Sequence, residues 1–333
     1  MKELVITRHG SFLKKESERF VVQSGDVETH LPAVDVSTIQ ICCSGAISTE
    51  ALRLAARYNI PVYVCDNTGE PVCSVLPSSM AGAVTVRIRQ LEARSNPAGC
   101  ILAKRICMGS TKNKAMLLRS LARTRQKHRE DLLQAAERID ALRREIADLD
   151  GELSEVRRQL LPREGMCASI YFAALRYVLS GKLYRGSRSR QPPRDLFNAG
   201  LSYGYGILYP KVHRAVILAG LDPYLGFLHS EYERRPGLVM DLIEEFRQTV
   251  VDREIIKLCV RRRLQQGAIG GKGGFTLGQE ARRAVASAVL DRLHAVGHYR
   301  GRKEEVNRVI LLQATRLANH LLGRDEYRAW EER

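Results

Sequence analysis

The chain has 333 residues, enough for a sizeable core and about two domains. Lysine and arginine number 53 against 37 aspartate and glutamate, a net charge of +16, and 44% of residues are hydrophobic; this excludes a disordered chain and points to a folded protein with a polyanionic partner. There is no long apolar span or lipidation signal, and Met1-Lys2-Glu3 leads into a short LVIT rather than a signal sequence, so no membrane role and a cytoplasmic location are expected.

Residues 1–80 read as β-rich. LVITRHG, RFVVQSG, VSTIQICCSG and PVYVCDNTGEPVCSVL are short β-branched and apolar runs punctuated by glycine, asparagine and proline, with a turn expected at Asp66-Asn67-Thr68-Gly69. Between the last two runs, Ser48 or Thr49 can cap a short helix whose Ala51, Leu52, Ala55 and Ala56 face inwards. The cysteines, Cys42, Cys43, Cys65, Cys73, Cys100, Cys107, Cys167 and Cys259, show no zinc spacing and mostly lie in apolar runs, which predicts reduced, buried thiols.

VRIRQLEA starts a helical tendency and SNPAG reads as a linker, beyond which the chain turns helical. The fold class expected is α+β, with a small N-terminal β-rich domain at 1–85, a linker at 86–99 and a larger all-α domain at 100–333. Ile139, Leu142, Ile146, Leu149, Leu153, Val156 and Leu160 form a heptad seam, interrupted at Gly151, that should bury against a neighbouring helix. Pro162 is expected to end that run and to leave Glu164 in the first turn of the next helix, where the helix dipole alone favours an acid.

Residues 182–195 form a polar loop carrying Lys182, Arg185, Arg188, Arg190 and Arg194, suited to DNA phosphates and equally to a solvated surface. The tyrosines Tyr203, Tyr205 and Tyr209 follow on an apolar helix, a spacing more common in cores than in base-stacking platforms. In the stretch 221–247, His229 follows an apolar run, Pro236-Gly237 turns the chain, and helical spacing over 240–250 would set Asp241 beside Glu244 and Glu245. Clustered carboxylates with a histidine suit Mg²⁺ or Mn²⁺, although the same pattern describes a solvated acidic face with a core histidine. VDREIIKLCVRRRL then reads as a basic amphipathic helix. The glycines around Lys272 lack a phosphate-loop pattern and read as a hairpin or turn, followed by Thr276 as the cap of the next helix and by two helices in all.

The motifs GSFLKK, SGAISTEALRLAARYNIPVYVCDNTGEPV, REGMCASIYFAAL, QPPRDLFNAGLSYGYGIL, GLDPYLGFLH, MDLIEEFR and ILLQATRLANHLLG, in this order, resemble the CRISPR-associated protein one family. The resemblance covers nearly the whole chain. It implies an integrase and endonuclease of spacer acquisition, with an N-terminal β domain, a helical catalytic domain, a homodimeric state, and a Mg²⁺ or Mn²⁺ ion. By motif, the ligands fall on Glu164, His229 and Glu244, with Asp241 as the neighbouring acid beside or behind them. The implied partners are a prespacer duplex, repeat DNA and a dimer of the CRISPR-associated protein two. The implied chemistry is attack of a DNA 3′-hydroxyl on a phosphodiester. Tyr209, Arg185, Arg188 and Arg190 are the expected DNA contacts. Ser110 and Thr111 stand where the family pattern has a basic and an apolar residue, and Cys167 where alanine is usual; none of the three is expected to touch the ligands. Two other readings predict different products: an architectural DNA-binding protein without catalysis, and a structure-selective repair nuclease.

Overall fold

The computed structural model describes residues 2–66, 71–77, 84–229, 236–264, 268–271 and 274–331. The N-terminal region holds strands β1 (Lys2–Ile6), β2 (Ser11–Glu16), β3 (Arg19–Ser24), β4 (Val27–Pro32), β5 (Val36–Ile41) and β6 (Gly45–Ile47), helix α1 (Thr49–Arg57), and strands β7 (Val62–Cys65) and β8 (Pro71–Val75). They form two four-stranded sheets, ordered β1-β5-β7-β8 and β4-β3-β2-β6. Leu4, Ile6, Ile39 and Val62 of the first meet Leu13 and Phe20 of the second in one core. Ser48 caps α1, accepting from Ala51 N at 3.2 Å. The inward face is turned by one residue from the expected one, since Leu54 is buried and Ala56 is exposed. The antiparallel β7–β8 pair brackets the expected turn, whose residues 67–69 lie outside the described residues.

Helices dominate from residue 84 on. In order they are α2 (Val84–Ala93), α3 (Pro97–Ala122), α4 (Arg129–Ala147), α5 (Leu153–Ala174), α6 (Leu196–Leu218), α7 (Gly237–Ile243), a π-helical segment (Arg247–Asp252), α8 (Arg253–Val260), α9 (Gln279–His294) and α10 (Val306–Leu321). Two short hairpins interrupt them, β9 (Ala268–Gly271) with β10 (Gly274–Leu277) and β11 (Val296–Tyr299) with β12 (Arg302–Glu305). The first is the hairpin expected of the glycine-rich stretch, although Lys272 and Gly273 lie outside the described residues. Thr276 belongs to β10, so Gly278 rather than Thr276 stands at the N-cap of α9.

The heptad seam is buried along its length, but as an αα-hairpin. Ile139, Leu142 and Ile146 lie on α4, Leu153, Val156 and Leu160 on α5, and both helices pack on α3. Gly151 makes the reversal with φ +123°, a conformation that a side chain would strain. Pro162 does not end a helix: α5 runs through it, and Glu164 is therefore mid-helix. An interior proline costs about 3 kcal/mol; here the helix is held on either side by Val156 and Leu160 before the proline and by Cys167 and Tyr171 after it, all buried.

Helix α6 is the footing of the β-rich region. Tyr63 on β7 donates its hydroxyl hydrogen to Pro210 O at 3.3 Å and lies 3.0 Å from His213 Nδ1. Glu3 and Lys211 form a buried ion pair at 2.5 Å. Burial pulls the His213 imidazole down to about 4, so the folded joint holds it neutral. In the unfolded chain histidine titrates near 6.5. The contribution is thus complete above that value and is lost as pH falls towards 4, by on the order of 3 kcal/mol at most. Melting temperatures measured from neutral to acid pH should fall less steeply for His213→Asn than for the parent; equal slopes would remove His213 as the cause.

Candidate metal and nucleic-acid site

Asp241 on α7 is fully buried and is surrounded by donors from the loop that ends α6. It accepts from the backbone N–H groups of Phe227 at 2.6 Å, Leu228 at 3.0 Å and His229 at 2.8 Å, and from His229 Nδ1 at 2.9 Å. The loop can come this close because Gly226 and Gly237 face each other. A Cβ on Gly226 would stand 2.6 Å from Gly237 C, and one on Gly237 would stand 2.3 Å from His229 O. Gln90 of α2 ties down the other end of the loop, donating to Asp222 O at 2.9 Å and Leu225 O at 2.8 Å and accepting from Asp222 N at 2.8 Å. Arg157 of α5 donates to Phe227 O at 3.0 Å. His229 is therefore fixed through Nδ1, and Nε2 is left for other use. Burial pulls the imidazole down, but the Asp241 hydrogen bond and the charges of Asp241, Glu244 and Glu164 outweigh it and leave the pKa raised.

Glu244 follows α7 directly and is almost wholly buried. One oxygen pairs with Arg247; the other lies 3.4 Å from Ser110 Oγ and 3.8 Å from Lys114 Nζ. Burial pushes its carboxyl up, yet Arg247 first, then Lys114 and His229, hold it down at about 2. Lys114 on α3 also lies 3.5 Å from Glu164 Oε1 and donates to Ser110 Oγ at 2.6 Å. The expectation that Ser110 stands clear of the ligand residues is thus corrected: α3 places its hydroxyl one turn before Lys114, directly on Glu244.

The acidic residues of α7 and its continuation do not share one patch. Helix α7 stops at Ile243 and a π-helical segment resumes at Arg247, so the regular spacing expected over 240–250 is broken. Asp241 faces the histidine loop, Glu244 faces Lys114, and Glu245 points elsewhere. Glu245 accepts from Trp330 N at 2.8 Å, Gln313 Nε2 at 2.7 Å and the Tyr327 hydroxyl, and thereby docks the segment 325–331 against α3 and α7. Each buried carboxyl group turns to its nearest donors because an unpaired polar group inside a protein is costly, and burial pushes that of Glu245 up to about 8.

A cleft of about 140 Å³ opens beside Arg247, lined among others by Arg188, Arg190, Tyr205, Tyr209 and Met240. Arg247 and Arg188 lie over the Tyr205 ring at 4.9 and 5.6 Å, and the Tyr205 hydroxyl donates to Asp252 Oδ1 at 2.5 Å. Tyr209 stacks on His213, with ring centroids 5.8 Å apart, and also lines the cleft. Tyr203 is buried in the core. Of the loop arginines, Arg188 is held by Asn198 and Ser202 at 3.0 Å each, Arg190 is exposed at the rim, and Arg185 is exposed, with its backbone N–H on Asp195 at 3.2 Å.

Glu164, His229 and Glu244 offer two carboxylates and one imidazole nitrogen, a donor set of the kind Mg²⁺ or Mn²⁺ takes. Among the described residues no three histidine, cysteine, aspartate or glutamate side chains stand at coordinating spacing, and the Lys114 ammonium lies within ion-pair distance of both glutamates. The donors fit such an ion in kind, and an ammonium stands between two of them. Sequence reasoning did not single out Lys114, Arg247, Gln90 or Arg157. Nothing local marks Lys114, which follows Ser110, Thr111, Lys112 and Asn113; its burial depends on how α3 packs against α5 and the end of α7.

The family model described as CRISPR associated protein Cas1 matches residues 4–290. Over 343 residues the chain is 32% identical to "CRISPR-associated endonuclease Cas1 1" of Archaeoglobus fulgidus, with 99% of each chain covered. A solved structure described as "Casposase bound to integration product" shares the fold with a TM-score of 0.85 at 21% identity, over 99% of this chain and 95% of that one. Another, described as a "Cas6-RT-Cas1--Cas2 complex", does so with a TM-score of 0.83 at 21% identity, over 99% of this chain and 36% of that one. With a family match over most of its length and a relative aligned from end to end, the chain belongs to the Cas1 family of CRISPR-associated proteins.

Proposed function

We propose that the chain is a metal-dependent DNA endonuclease and integrase that inserts short DNA into a CRISPR repeat array by attack of a 3′-hydroxyl on a phosphodiester. The observation that carries this reading is geometric: Glu164 and Glu244 both lie within ion-pair distance of Lys114, and Arg247, the other partner of Glu244, lines a cleft with Arg188 and Arg190. Glu164, His229 and Glu244 would hold a divalent cation, which supplies polarisation of the phosphoryl oxygen and stabilises charge on the transferring group. Asp241 orients His229 and keeps its Nδ1 occupied. Arg188 and Arg190, with Tyr209 on the wall between them and His213, bind the phosphate backbone without reading sequence; Arg185, further along the same loop, extends that contact. The related endonuclease, the casposase bound to its integration product and the complex containing Cas2 support DNA as substrate and Cas2 as partner; the homodimer and the dimeric form of Cas2 are what the family resemblance implies.

One assay separates this reading from its rivals. The protein, its partner, a short duplex with 3′-hydroxyl ends and a repeat-bearing plasmid are incubated with Mn²⁺ and again with a chelator. Joined product that disappears with the chelator is the expected result. Cleavage without joining would make the protein a repair-type nuclease, and DNA binding without any reaction would make it architectural.

A further inference from the structure

Lys114 is 2% exposed in the middle of α3, and lysine is almost never buried so completely without partners. Its ammonium donates to Ser110 Oγ at 2.6 Å and lies 3.5 Å from Glu164 and 3.8 Å from Glu244. Three elements, α3, α5 and the end of α7, thus meet at one positive charge. Two carboxylates that face one space repel each other unless a cation lies between them. In this protein that cation is covalently part of the chain.

A divalent ion would need the same two glutamate oxygens. Ammonium and metal both carry positive charge and cannot share a space that narrow, so the incoming ion must drive the ammonium off the carboxylates. Ser110 lies one turn back on the same helix and can keep hold of the displaced lysine. A DNA phosphate arriving at the cleft offers it a new negative partner. Metal and DNA should therefore strengthen each other's binding, and by linkage the effect is equal in both directions.

We propose that Lys114 is an internal counter-cation that competes with the divalent ion for Glu164 and Glu244, and that DNA relieves this competition by giving the ammonium a phosphate. The inference rests on the metal-site reading above. Lys114 acts through the two glutamates and is a positioning residue.

Calorimetry with Mn²⁺ alone, needing no turnover, tests it. Lys114→Gln should bind Mn²⁺ roughly tenfold more tightly than the parent, a coupling of ordinary size. Lys114→Arg keeps the charge and grips carboxylates with a planar fork, so it should bind Mn²⁺ more weakly than the parent; it also serves if Lys114→Gln does not fold. Adding a duplex whose 3′ ends lack hydroxyls should tighten Mn²⁺ binding to the parent and do so much less for Lys114→Gln. If Glu164→Ala abolishes Mn²⁺ binding while Lys114→Gln leaves it unchanged or weaker, the competition is refuted and the metal site stands. If Glu164→Ala leaves Mn²⁺ binding intact, the metal site itself is refuted.

Discussion

Glu164→Ala is expected to lower Mn²⁺-dependent strand transfer by about a thousandfold or more while barely changing stability, whereas Glu244→Ala should lose the same activity and also melt early. The two glutamates differ in their surroundings. The side chain of Glu164 is 18% exposed and its one described ion pair is with Lys114, which keeps Ser110 and Glu244 when Glu164 is removed. Because the ammonium keeps those two partners, losing this pair strands no charge and costs less than losing Glu244. Glu244 is the shared partner of Lys114 and Arg247, whose side chains are 3% and 12% exposed. Removing one partner of a buried pair costs about 3–5 kcal/mol, because the remaining charge is stranded. Thermal melts beside strand-transfer assays decide the matter. Equal melting temperatures for the two variants would mean that the Lys114–Glu244–Arg247 cluster is not what holds this region together.

The second large effect belongs to Asp241. Asparagine in its place keeps the volume but turns an amide NH₂ towards a site where three backbone N–H groups and the His229 ring already donate. At least one buried donor is left without an acceptor and another is faced by a donor, so a stability loss of about 2–4 kcal/mol is expected. His229 loses its anchor, and if it is the ligand proposed above, removal of such an outer partner should lower metal affinity or activity by about 10- to 100-fold. Mn²⁺ titration of Asp241→Asn below its melting temperature should show the weaker binding directly. Unchanged affinity would confine Asp241 to packing.

The order of strands and helices could be read in the sequence because local patterns set it: β-branched runs between turns in the first 80 residues, and periodic apolar positions after them. The directions of the buried acidic groups could not. Asp241, Glu244 and Glu245 are neighbours on any helical projection, yet they part because their donors come from segments distant in sequence: the loop at 227–229, Lys114 on α3, and Trp330 near the C-terminal end of the described chain. The same holds for Pro162. Proline is a local stop signal, and only the packing of α5 on the core overrides it. Ser110 was noticed in the sequence as a departure from the family pattern, but its contact with Glu244 depends on how α3 passes the end of α7.

The docking of residues 325–331 gives the molecule an optical handle. Trp330 is the only tryptophan in the chain; its ring stacks on Phe246 with centroids 5.3 Å apart, and its indole N–H donates to His298 O at 3.1 Å. Phe246 is two residues from Glu244, so the sole indole fluorophore lies against the back of the segment proposed to hold the metal. Its emission reports on that segment without any label, and loosening there would appear as a red shift as water reaches the ring.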